Sequence, residues 1–209
     1  MKTFAIVVAA ALVRASLAGE TQLSVKGPDG LTGTAKLSTK LLEDGSRYVS
    51  LSLRLSYNGN LETDVLEEST YDSKGRPVRM LQTTHASGKK TSTSVNFTEE
   101  GAQVVTNKSG TMKTNLVVFP EGTTANPTVF WFCRDKPEKG RSVEYYLFRL
   151  SESSWSKAKS RYDGDEDIVV SGRKVTAHVV RIGEVTSWLD DKGDPYRIEL
   201  QGLTLERTN

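Results

Sequence analysis

The sequence predicts a mainly β protein: one large, strongly curved antiparallel sheet, a half-barrel or open barrel of meander topology, with little helix. Three observations predict it. Apolar and polar residues alternate with a period of two along most of the chain, which is the signature of half-buried strands. Turn-forming clusters separate these stretches at intervals too short for the crossovers that parallel strands require. No stretch carries apolar residues at three-and-four spacing over the roughly eleven positions an amphipathic helix needs.

Taken in order, residues 1–18 read as an export leader outside the fold. Lys2 gives a positive start, residues 4–13 form a short apolar run, and Ser16 and Ala18 suit a cleavage site before Gly19. The run is too short to span a bilayer, and Arg14 interrupts its end. The expected mature protein is a single β domain over residues 19–209, periplasmic or secreted, with no transmembrane segment.

Strands are predicted at Ala35-Leu37-Thr39-Leu41, at Val49-Leu51-Leu53-Leu55-Tyr57 and at Val78-Met80. More follow at Thr91-Thr93-Val95-Phe97 and Met112-Thr114-Leu116-Val118. Val129-Phe130-Trp131-Phe132-Cys133 and Tyr145-Tyr146-Leu147-Phe148 are apolar on both faces, as in strands covered from both sides. A loop is expected over residues 134–140, where Pro137 and Gly140 interrupt the chain. Residues 126–132 and 151–160 suit a helical turn or extended chain equally. The last strands are Val175-Ala177-Val179 and Tyr196-Ile198-Leu200.

One pattern occurs twice. Asp72-Ser73-Lys74-Gly75-Arg76-Pro77-Val78-Arg79-Met80 matches Asp190-Asp191-Lys192-Gly193-Asp194-Pro195-Tyr196-Arg197-Ile198 as Asp-x-Lys-Gly-x-Pro-apolar-Arg-apolar. It suits a hairpin turn, in which Asp bonds its own backbone and Gly takes a positive φ. The expectation is of two similar turns, without a longer repeat.

The leader's Lys2 and Arg14 account for the whole formal charge of +2, so residues 19–209 carry none. With no clustered run of Lys and Arg, no nucleic-acid partner is predicted. The single cysteine, Cys133, excludes an internal disulfide and a Cys-based zinc site, and is expected as a small buried hydrophobe in a central strand. The chain's two histidines, His85 in a turn-rich stretch and His178 in a strand, lack a nucleophile elbow and are too few for a three-histidine zinc site. Asp163-Gly164-Asp165-Glu166-Asp167 misses the calcium-loop spacing and reads as a solvated turn. Asn96-Phe97-Thr98 and Asn107-Lys108-Ser109 match the glycosylation pattern and read as ordinary strand and turn residues. No catalytic residue, metal or cofactor is predicted.

From Asp167-Ile168-Val169-Val170 and the Gly172 turn, through residues 175–182, to Ser187-Trp188-Leu189-Asp190-Asp191-Lys192-Gly193-Asp194-Pro195-Tyr196-Arg197-Ile198-Glu199, the chain resembles uncharacterised bacterial periplasmic proteins. Those proteins carry the curved half-barrel of the outer-membrane lipoprotein carriers and receptors. The resemblance covers residues 160–205 and implies a fold more than a function. The carriers' plugging helices and a lipobox cysteine are not legible here.

A broad sheet with so little helix must hide its apolar face by closing, by folding over, or by holding a partner. Phe130, Trp131, Phe132, Tyr145, Tyr146, Phe148 and Trp155 are the candidate residues for binding a lipid or other hydrophobic ligand, and they also suit a plain core. Two further readings stay open. One is an envelope structural or protein-interaction module using a strand edge such as residues 91–98. The other is a hydrolase using a carboxylate pair.

Overall fold

A computed structural model describes residues 19–120 and 130–208, apart from the side chains at 61 and 62. The leader and the helix start considered at 126–129 lie outside these residues. The described chain forms a single 14-stranded antiparallel sheet in the order β8-β7-β6-β5-β4-β3-β2-β1-β14-β13-β12-β11-β10-β9. The strands are β1 (Gly19–Lys26), β2 (Leu31–Leu41), β3 (Arg47–Tyr57), β4 (Asn60–Tyr71) and β5 (Pro77–Ala86). Then come β6 (Lys89–Phe97), β7 (Gly101–Lys108), β8 (Thr111–Val118), β9 (Ser142–Arg149) and β10 (Ser154–Val170). The last four are β11 (Arg173–Ile182), β12 (Val185–Leu189), β13 (Pro195–Leu200) and β14 (Leu203–Arg207). This is the curved meander the alternation predicts. Its first and last strands join side by side, with Leu23 opposite Arg207 and Val25 opposite Leu205, while β8 and β9 end the sheet without a ladder between them.

The interior follows from the two-residue period. Val49, Leu51, Leu53 and Leu55 of β3 are 1–4% exposed, and in register they meet Ala35 and Leu37 of β2 and Val65 of β4. Leu23, Val25, Val95, Val104, Ile198 and Leu205 continue this core around the sheet.

A five-residue helix, α1 (Trp131–Asp135), packs against the sheet where a strand was expected. Amides of Arg134 and Lys136 donate to the carbonyls of Phe130 and Phe132 at 3.2 and 3.0 Å, and Lys136 ends the turn at φ 44°. Successive helical side chains fan out by about 100° each, whereas strand side chains point alternately to opposite faces. The helical turn therefore lets Phe130 enter the main core while Trp131 and Phe132 enter a second cluster with Tyr162, Val180 and Leu189.

Other expectations are corrected in the same way. Asp163-Gly164-Asp165-Glu166-Asp167 is no turn but the middle of β10, with a bulge between Tyr162 and Gly164. Across the ladder, β11 supplies compensating groups: Arg181 lies 2.8 Å from Asp163 and Lys174 lies 2.8 Å from Asp167. Residues 154–160 take the extended alternative left open for that segment, and His85 is exposed on β5 rather than in a turn. Residues 91–98 do not form an edge, because β6 is paired on both sides by β5 and β7.

Candidate functional site

The two ends of the sheet meet through side chains. Phe97 from β6 lies edge-on to Phe148 from β9, with ring centroids 5.5 Å apart. Phe148 packs in turn on Trp155 at 5.1 Å, its in-register partner on β10. Phe119, just beyond β8, stacks on Trp155 at 4.9 Å, and the indole N–H donates to the Val117 carbonyl at 3.5 Å. Such ring pairs add about 0.5–1.5 kcal/mol each beyond area burial. The corner is thus clasped by aromatic packing in place of a backbone ladder. Tyr145 and Phe148, three positions apart and so on opposite faces of a regular strand, are both buried. End strand β9 is therefore covered from both sides.

The structure distributes the candidate aromatics among three settings. Phe148 and Trp155 form the clasp. Phe130 sits edge-on to Tyr71 at 5.1 Å with the Arg47 guanidinium 4.8 Å over its ring, and Trp131 donates to Ser160 Oγ at 2.9 Å. Phe132 lies against Tyr162 and His178 at 5.2 and 5.5 Å. Phe130, Trp131, Phe132, Tyr145 and Phe148 are buried, whereas Tyr146 and Trp155 are half-buried. Phe97 and Phe119 are outside the candidate set read from the sequence, because they lie apart from the dense aromatic stretch over residues 130–155.

A second feature is polar. A cleft of about 500 Å³ opens between the start of β1 and the β12–β13 turn, lined by Asp190, Asp191, Lys192, Asp194, Tyr196 and Arg207 among others. Arg207 reaches Asp190 at 3.0 Å, donates to the carbonyls of Asp194 and Pro195 at 2.8 and 2.9 Å, and lies 4.3 Å over the Tyr196 ring. The turn beneath it is one of the repeated pair. Asp190 Oδ1 accepts from the amides of Lys192 and Asp194 at 3.0 and 2.9 Å. Asp72 Oδ1 likewise accepts from Lys74 and Arg76 at 2.9 and 2.8 Å. Gly75 and Gly193 close the two turns at φ 80° and 82°, a conformation open to glycine at little cost. The likeness noted in the sequence is one of turn geometry.

Beside the cleft, His178 stands between two carboxylates, with Nδ1 2.6 Å from Asp165 and Nε2 3.0 Å from Asp191. Tyr162 also donates to Asp165. Burial by itself would lower the imidazole pKa, but the hydrogen bonds to Asp165 and Asp191 outweigh it and hold it above its usual value. Asp165 is lowered, first by the Tyr162 hydroxyl and then by His178. With both ring nitrogens engaged by carboxylates, the cluster fastens the β10–β11 hairpin and ties it to the β12–β13 turn. Its signal, the cross-strand pairing of Asp165 with His178, depends on register and is silent in the sequence.

Cys133 is half-buried in α1, with its thiol 3.4 Å from the Lys192 carbonyl. Burial, then the charges of Asp190 and Asp194, push its pKa to about 12, which suppresses the nucleophilic thiolate. Glu67 is buried on the inner face of β4 at 3% exposure and accepts from Gln82 at 3.3 Å. Sequence reasoning missed it because its strand does not alternate cleanly. Among the described residues, no three His, Cys, Asp or Glu side chains are placed to hold a metal ion, and no helix is long and apolar enough to cross a membrane. Hydrogen bonds and neighbouring cations hold the carboxyls of Asp44, Asp72, Asp135, Glu144, Asp165 and Asp167 below their ordinary values.

No family model matches the chain, and no curated protein matches it. Among solved structures, it is similar to the crystal structure of a β-barrel-like protein of domain of unknown function DUF1849 from Brucella abortus. The TM-score is 0.54 at 10% sequence identity, over 90% of this chain and 92% of the other. At that identity the likeness is one of fold, a barrel-like arrangement of β-strands, and in this chain the end strands β8 and β9 share no ladder.

Proposed function

We propose that the protein is a non-enzymatic binding protein, exported to the periplasm or beyond, that takes a lipid or other hydrophobic ligand through the seam between its two end strands. One observation supports this above the rest: β8 and β9 share no ladder, and Phe97, Phe119, Phe148 and Trp155 close the corner by ring contacts and the one indole bond from Trp155 to the Val117 carbonyl. Parting a backbone ladder breaks a row of hydrogen bonds together, whereas parting a clasp of rings requires only that apolar surface find other apolar surface. A hydrophobic ligand supplies that surface. Trp155 and Tyr146, both half-buried, are its first contacts, and Phe148 and Phe130 lie deeper.

The test is native mass spectrometry of the purified protein, followed by titration of delipidated protein with a fluorescent fatty acid. Co-purifying lipid and saturable binding that Trp155→Ala weakens at least several-fold are expected. Delipidated protein that takes up no probe, with or without Trp155, rejects the reading. The export component is checked separately by intact mass, expected to show a chain beginning at Gly19.

A second reading rests on its own observation. β8 is an end strand, paired with β7 on one side and with no ladder on the other among the described residues, and its Met112, Leu116 and Val118 are 66%, 43% and 65% exposed, a surface suited to a partner protein's strand. Capture of a protein partner that proline substitutions in β8 abolish, with no small molecule retained, would favour it.

A further inference from the structure

We infer that the corner of the sheet formed by the β5–β6 and β7–β8 hairpin tips is a docking surface for an anionic lipid bilayer. The register gathers the charges. His85 is the partner of Lys90, Ala86 of Lys89, Thr91 of Lys108 and Thr106 of Lys113. Adjacent strands lie about 4.8 Å apart, so four ammonium groups scattered over the sequence share one corner. His85, Lys89, Lys90, Lys108 and Lys113 are all exposed. Between residues 84 and 114 the only acids are Glu99 and Glu100, at the opposite end of the β6–β7 hairpin.

Elsewhere in the protein, lysines on the strands find partners: Lys36 with Glu20 at 2.9 Å, Lys157 with Glu144 at 2.7 Å, Lys174 with Asp167 at 2.8 Å. Lys89, Lys90, Lys108 and Lys113 have no ion pair among the described residues. Asp64, in register with His85, lies 3.9 Å from Arg54. Lysines also protect edge strands from unwanted pairing. That role fits Lys113 on the end strand β8, whereas Lys89 and Lys90 lie at the tip of β6, an inner strand that β5 flanks along its length and β7 flanks from Thr91 onward. Holding four like charges together on a chain whose residues 19–209 have no net charge costs stability, and an anionic surface offsets that cost.

The apolar neighbours select the occupant. Met112, 66% exposed, lies at the same corner on the outward parity that Lys90 shares, while Lys89, Lys108 and Lys113 take the opposite parity, and Leu116 and Val118 continue its row along β8. A basic hairpin corner with lysines on both faces and an exposed, flexible thioether beside them suits the headgroup boundary of a membrane, where the charge meets lipid phosphates and the apolar side chain enters the acyl layer. A nucleic-acid site would call for arginine forks and aromatic stacking platforms, and residues 84–114 hold no arginine and only Phe97, which belongs to the clasp. The opposite end of the sheet carries the acidic turns Glu43-Asp44 and Asp190-Asp191-Lys192-Gly193-Asp194, so the molecule would present its basic corner to the bilayer and keep the other end away.

The experiment is co-sedimentation of the full chain with phosphatidylglycerol/phosphatidylcholine vesicles and with pure phosphatidylcholine vesicles, at low and high salt. Binding to the anionic vesicles that weakens with salt is expected, with a loss of about fivefold for each Lys→Gln change at 89, 90, 108 or 113. Lys89→Arg/Lys90→Arg should retain it, and Met112→Ser should weaken it without altering its salt dependence. The control is Lys40→Gln/Lys74→Gln at the other end, with the same charge change, which should leave binding unchanged. Wild type and variants share one N-terminus, so any contribution of the leader cancels. Binding that survives all four Lys→Gln changes, that falls equally in the control, or that is matched on pure phosphatidylcholine overturns the inference. Lysine-dependent binding to duplex DNA without binding to the vesicles overturns it in favour of a polyanion site. None of these outcomes depends on what the seam holds.

Discussion

Strands β3 and β8 carry the same kind of sequence and meet opposite fates. Val49-Leu51-Leu53-Leu55 and Met112-Thr114-Leu116-Val118 both alternate, yet the first row is 1–4% exposed, while Met112, Leu116 and Val118 are 43–66% exposed. The difference lies in which parity faces the core. On β3 the apolar row lines the interior beside β2 and β4. On β8 the inward row contains Lys113, Asn115 and Val117, partners of Thr106, Val104 and Ala102, and the apolar row points outward. Alternation identifies a strand with two unlike faces, and its position in the sheet decides which face the core receives.

That contrast is broken or sharpened first by truncating one leucine in each strand. Leu53→Ala is expected to cost about 3 kcal/mol in urea unfolding, because it removes buried methyl groups and leaves a cavity. Leu116→Ala should change stability by less than about 0.5 kcal/mol, as exposed substitutions do. Equal losses would mean that β8 is covered in solution and that the exposed row is an interface. The clasp comes next. Trp155→Ala should cost about 2 kcal/mol, less than a fully buried tryptophan because the ring is half-buried. Amide exchange should then accelerate in β8 and β9 and stay slow in β3. Faster exchange spreading into β3 would show the seam and the core to be one cooperative unit.

How much of this was legible follows from which partners are local. The strands of β2 and β3, the meander and the paired Asp-x-Lys-Gly turns were readable because alternation and turn chemistry act within a few residues. Phe130-Trp131-Phe132 was misread because three successive apolar residues suit a doubly covered strand and a short helix equally. The arbiter was the position of Tyr71, Ser160 and Tyr162 from distant strands. Asp163-Gly164-Asp165-Glu166-Asp167 resembled a solvated turn because its compensating groups, Arg181, His178, Thr176 and Lys174, arrive on β11. The aromatic candidates on β9 and β10 were visible by their density, but the clasp was not, since Phe97 and Phe119 reach it only when the sheet rolls round. Glu67 shows the same limit: a buried acid becomes visible only when Gln82 appears beside it.

If packing is what separates β3 from β8, then fastening a strand by charge should matter least, and the β10–β11 hairpin tests this. His178→Gln removes an imidazolium held by Asp165 and Asp191, a partly exposed pair expected to contribute no more than about 1 kcal/mol. Its pH dependence has a definite sign. The folded pKa of His178 is raised, so its contribution is fully present below the ordinary imidazole value and fades as pH rises through the folded value. Asp165 is lowered, so its share is present above the ordinary carboxylate value and fades as pH falls through the folded one. The stability difference between wild type and His178→Gln should therefore be greatest between about pH 4 and pH 6.5 and shrink on the alkaline side. A difference that persists unchanged as pH rises well above that window would assign the loss to the ring's contact with Phe132, 5.5 Å away, and make packing the fastener there as well.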